Sequence, residues 1–109
     1  MVAGKKTPTK LKAPCGEVVE LLNKLNSEDI GFSKVHVTED YGPVINHGSK
    51  MYYFITDGCP LFVVDDKKFQ LRPQNLLEIP LGSKYLSRGV YQGYTISVPA
   101  FDSSKVEFL

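Results

Sequence analysis

The chain lacks any surplus of charge. Thirteen Lys and Arg stand against twelve Asp and Glu, a net of +1. So small a field cannot hold a polyanion, which argues against nucleic acid as a partner. No apolar run approaches the length of a bilayer crossing, so no membrane partner is expected. There are only two cysteines, Cys15 and Cys59, and neither sits in a metal-type spacing. No apolar stretch follows the early lysines, as a secretory signal would require. Two free thiols in a reduced, cytoplasmic setting are the expectation. A Gly-rich phosphate loop, a Gly-x-Ser-x-Gly elbow and a zinc-type Cys/His spacing are all missing. Neither an internal repeat nor a low-complexity tract is visible.

What is present is one domain of 109 residues with 42% apolar and 23% charged content, an ordinary globular balance. Residues 1–13, with Lys5, Lys6, Lys10 and Lys12, read as a solvated tail or an edge strand. Residues 14–109 read as the folded domain. Val18, Leu21, Leu22 and Leu25 recur at helical spacing, which predicts one short helix over Gly16–Asn26. Glu17 and Glu20 near its start and Lys24 near its end suit the helix dipole. After Gly31 everything reads as strand and turn. Val35 and Val37 alternate, with His36 facing away from them. Tyr41-Gly42-Pro43 reads as a turn. Met51 to Thr56 and Leu61 to Val64 read as strands, with Asp65-Asp66-Lys67-Lys68 as a charged hairpin tip. Leu76 to Ile79 and Val90 to Val98 complete the strands, and Pro99 to Leu109 is left as a tail. Short strands with frequent turns imply an all-β barrel or sandwich.

The stretch from His47 to Arg88 holds two successive hairpins, the second closing at Pro80-Leu81-Gly82 with Tyr85 shortly after. This layout resembles the heart of a cupin barrel, over residues 32–102. The resemblance implies a single cupin-type (jelly-roll) β-barrel; the short N-terminal helix read from periodicity would lie across the mouth or flank of its sheet. Anchored on Gly58, the family's first motif puts Ile45 and His47 at its two His positions and Met51 at its Glu position. Anchored on Pro80 and Gly82, the second motif puts Tyr85 at the remaining His position. Three imidazoles and a carboxylate would suit Fe, Mn, Ni or Zn. Ile45, His47, Met51 and Tyr85 offer one imidazole. No metal and no other cofactor is therefore expected, and metal-dependent oxygenase chemistry is disfavoured.

Two readings of the interior stay open: a plugged core, or a pocket for an organic molecule, sugar-like or an aromatic acid. A pocket would be lined by His47, Met51, Tyr53, Tyr85 and either or both of Tyr91 and Tyr94. Such barrels serve as sensor domains. The alternative is a small isomerase, epimerase or lyase with His47 as base and Tyr85 as acid. Lys50, Lys84 and Arg88 are the cations placed near the barrel mouth. Parity puts Met51, Tyr53 and Ile55 inward and Tyr52 and Phe54 outward. An outward aromatic pair needs a cover, and a homodimer is expected.

Overall fold

The computed structural model describes residues 8–13 and 15–109. Most of the expected N-terminal tail, residues 1–7, lies outside the described residues. Among the described residues, eleven strands form two antiparallel sheets. They are β1 (Thr9–Ala13), β2 (Gly16–Leu22), β3 (Gly31–Val37), β4 (Tyr41–Asn46), β5 (Lys50–Gly58), β6 (Leu61–Val64), β7 (Lys67–Gln70), β8 (Leu76–Ile79), β9 (Lys84–Arg88), β10 (Tyr91–Val98) and β11 (Val106–Phe108). One sheet runs β1-β2-β3-β10-β5-β8 and the other β11-β4-β9-β6-β7.

Turn chemistry fixes the corners. Asp65 and Asp66 both carry positive φ, 45° and 70°, the conformation that a tight two-residue hairpin between right-twisted strands demands. Asp65 Oδ1 also accepts from the Lys84 amide at 3.0 Å, tying this tip to β9. At Pro80-Leu81-Gly82 the Ser83 amide donates to the Pro80 carbonyl. Gly82 there takes φ +83°, which a side chain would resist.

Alternation then builds the core. On β5, Met51, Tyr53 and Ile55 are buried, while Tyr52 and Phe54 lie half-buried on the other face. Ile55, Phe62, Val44 and Ile79 are almost wholly excluded from water. Each such side chain contributes roughly 1.5–3 kcal/mol relative to exposure.

The predicted helix over Gly16–Asn26 is not formed. Gly16–Leu22 is a strand, paired on one side with β1 through Leu11 opposite Val18 and on the other with β3 through Val18 opposite Val35. Leu25, which helical spacing placed on the buried face, is 89% exposed beyond the strand. The chain turns there through Asn23, whose carbonyl accepts from the Asn26 and Ser27 amides. The C-terminal stretch is likewise no tail. A 3-10 turn at Ser103–Lys105 leads into β11, which pairs with β4.

Candidate functional site: a tyrosine-lined cavity

Strands β1, β2, β3, β5 and β10 leave part of the interior open. The cavity holds about 370 Å³, near the lower end of small-molecule pockets. Its walls are mostly apolar, from Val18, Val35, Val37 and Met51, with Phe101, Val106 and Phe108 of the C-terminal segment closing one side. Four phenols line it: Tyr41, Tyr53, Tyr85 and Tyr91. Tyr53 Oη and Tyr85 Oη share a hydrogen bond of 2.9 Å. Tyr53 packs on Phe62 at 5.0 Å between ring centroids and on Tyr85 at 5.9 Å. Phe62 also meets Tyr91 at 5.8 Å. Tyr41 sits between Tyr85 and Phe108.

Burial disfavours the phenolate form of all four tyrosines. It pushes Tyr85 up to about 12 and holds Tyr41, Tyr53 and Tyr91 well above the ordinary phenol value. Burial likewise pushes the half-buried Cys15 thiol up. At neutral pH these groups are uncharged hydroxyls and a thiol, able to donate and accept hydrogen bonds. The formal charges on the wall are Lys12, Glu17 and Glu20, all contributed by β1 and β2.

Of the residues predicted to line a pocket, Met51, Tyr53, Tyr85 and Tyr91 stand on this wall. His47 and Tyr94 do not. His47 lies outside, 53% exposed at its side chain, with Nε2 2.8 Å from Glu107 Oε1. The reason is register. Val44 pairs with Tyr85 and Ile45 with Lys84, and directly opposed residues share a face. Val44 and Asn46 therefore face in with Tyr85, while Ile45 and the next odd position, His47, face out. Asn46 is buried and its Oδ1 accepts from the Gly48 and Ser49 amides, closing the turn into β5. The expected pairing of His47 as base with Tyr85 as acid is thus not assembled, because the two occupy opposite faces. Tyr94 is three residues from Tyr91 and also faces out, stacked on Phe32 at 5.5 Å.

Several wall residues escaped the sequence reading. Tyr41 is one. A register shift between Tyr41 and Val44 lets both point inward, three positions apart. Gly42-Pro43 inside a strand was the available signal for such a bulge. Ser33, Thr95 and Ser97 are others, and plain alternation from Val35 and Tyr91 would have found them. Cys15 also stands on the wall; sequence alone marks it as a free thiol, and both cysteines are unbridged. Lys50, placed near the mouth by sequence, instead pairs with Glu78 at 3.6 Å.

The described lining residues include no histidine. Beside the carboxylates of Glu17 and Glu20, the cavity offers alcohols, four phenols and a thiol, and burial opposes the ionised forms of the phenols and the thiol. Among the described residues, no three His, Cys, Asp or Glu side chains converge. No described helix is long and apolar enough to cross a membrane.

No protein-family model matches this sequence, and no curated protein matches it. Solved structures do match in shape. Streptomyces Pac13, a nucleoside dehydratase, superposes with TM-score 0.86 at 13% identity, over 99% of this chain and 92% of that one. A protein from Planctomyces limnophilus gives TM-score 0.84 at 14% identity, over 99% and 96%. Oxalate decarboxylase of B. subtilis gives 0.83 at 11% identity, with the whole of this chain covering 33% of that one. The fold is a cupin-type β-barrel. Likeness at such identities carries the fold alone.

Proposed function

We propose that this cupin-type barrel is a metal-independent binding module for a small, neutral organic molecule. The observation that carries the reading is the cavity itself: an apolar chamber of about 370 Å³ into which uncharged phenols converge. An apolar wall gives affinity, and a few fixed hydroxyls give orientation. An aromatic acid suits the chamber poorly. Glu17 and Glu20 outnumber Lys12 on the wall, so a carboxylate would meet repulsion and lose its hydration without a paired cation. A variant of the similar Pac13 is known with uridine, itself a neutral ring-bearing molecule, which agrees with this choice.

The neutral dye N-phenyl-1-naphthylamine tests the reading. Its fluorescence is expected to rise when it enters the barrel. Val35→Trp, which fills the chamber, should abolish that rise while circular dichroism shows a folded chain. A rise that survives Val35→Trp places the dye elsewhere and removes the support.

The outer face of the same sheet carries Phe32, Tyr52, Phe54, Tyr94 and Ile96, with Leu76 59% exposed at its edge. We keep the homodimer as the cover for this stripe, flanked as it is by the self-complementary Lys50–Glu78 pair. Light scattering after gel filtration should give twice the chain mass, and Tyr94→Lys should halve it.

A further inference from the structure

The cross-strand register places one polar row across the cavity wall. Glu20 of β2 lies opposite Ser33 of β3, Ser33 opposite Thr95 of β10, and Thr95 opposite Tyr53 of β5. All four line the chamber. With adjacent strands about 4.8 Å apart, the row runs roughly 14 Å, ending at the Tyr53–Tyr85 hydrogen bond. The next row, Val18, Val35, Gly93 and Ile55, is wholly apolar. Among the described residues the Glu20 carboxylate accepts a hydrogen bond only from Asn23 Nδ2, at 3.4 Å, and the Ser33 and Thr95 hydroxyls have no partner.

A polar row in an apolar wall discriminates only if something hydrogen-bonds to it. Its groups are a carboxylate, which only accepts, followed by hydroxyls, which accept and donate. Neighbouring alcohols on a ligand complement that series: a vicinal pair can give both protons to one carboxylate or divide them between adjacent row members. The apolar row alongside would hold a flat or hydrocarbon part.

We propose that the ligand is a neutral molecule bearing neighbouring hydroxyl groups, read by the Glu20–Ser33–Thr95–Tyr53 row, with its apolar part against Val18 and Val35. This rests on the cavity reading above. Two probes that share a framework separate the two claims: phenyl β-D-glucopyranoside, and 2-phenoxytetrahydropyran, which lacks every hydroxyl. Each is titrated against barrel-bound N-phenyl-1-naphthylamine. The glycoside should displace the dye at about tenfold lower concentration, the size of one or two net hydrogen bonds. In Thr95→Val and in Ser33→Ala that preference should shrink, each probe being scored against the same variant's own dye affinity. Displacement by both probes equally, or by neither, overturns the polar row and leaves the cavity reading standing. A preference that persists in both variants also overturns it. A dye that does not bind the native chain overturns both.

Discussion

The barrel's interior is filled in two ways. Around Phe62, Ile55, Val44 and Ile79 it is packed solid, with each side chain below 2% exposure. Beneath β1, β2, β3 and the end of β10 it is open. The same period-two alternation builds both regions. They differ in what occupies the inward positions: branched and aromatic hydrocarbon in one, small hydroxyl residues and valines in the other. The packed side holds the open side in shape, because Phe62 is wedged against both Tyr53 and Tyr91. Substitutions on the packed side should therefore read out as stability, and those on the open side as binding.

The sharpest way to break this division is Phe62→Ala. A buried aromatic cut to alanine loses about 3–5 kcal/mol, the transfer of the ring plus the void it leaves. Urea denaturation should show that loss, with dye binding falling as the phenols lose their support. A change under about 1 kcal/mol would mean that Phe62 is not the wedge.

The next largest effect comes from alkali. The unfolded chain releases the Tyr85 proton near pH 10.0, the folded chain only at about 12. Stability is thus full below pH 10 and falls as pH rises through about 12, because the unfolded state gives up the proton first. A shift of that size corresponds to roughly 2–3 kcal/mol. Tyr85→Phe should remove its share of this slope and leave the shares of Tyr41, Tyr53 and Tyr91. If it leaves the alkaline slope untouched, Tyr85 is not buried as described.

Tyr53→Phe separates the halves more finely. It takes from the Tyr85 hydroxyl the closer of its two phenol partners, leaving Tyr41, a loss of about 0.5–1.5 kcal/mol. Replacing both tyrosines removes donor and acceptor together, so Tyr53→Phe with Tyr85→Phe should recover most of that stability. Binding of the glycoside probe should not recover. A double variant as unstable as the sum of the singles would show that the two phenols act independently.

The sequence disclosed the packed side well and the open side in part. Met51, Tyr53 and Ile55 declared their face because β5 alternates cleanly and ends at Gly58. The positions of Asp65-Asp66 and Pro80-Leu81-Gly82 were legible because those turns need those residues. Strand β2 was misread because Val18, Leu21 and Leu22 satisfy a helical face as readily as a strand half-covered on both sides. Its burial shows no alternation, so no period-two signal was there to find. What separated the two was the pairing with β1 and β3, which local sequence does not contain. The C-terminal residues hid for the same reason: β11 exists because β4 offers it an edge.

His47 gives the smallest effect and tests the register directly. Motif spacing runs back from Gly58 through the Gly48-Ser49 turn, and a slip of one residue exchanges every inward for every outward side chain. The structure puts Asn46 inside and His47 outside with Glu107. An exposed pair of this kind contributes no more than about 1 kcal/mol. His47→Ala should therefore leave dye and glycoside affinities unchanged and shift the denaturation midpoint only slightly. Asn46→Ala should do more, since the buried Asn46 Oδ1 holds two backbone amides at 2.9 Å. If His47→Ala instead abolishes binding while Asn46→Ala is silent, β4 is in the other register. The Val44–Tyr85 pairing that sets this wall of the chamber would then be wrong.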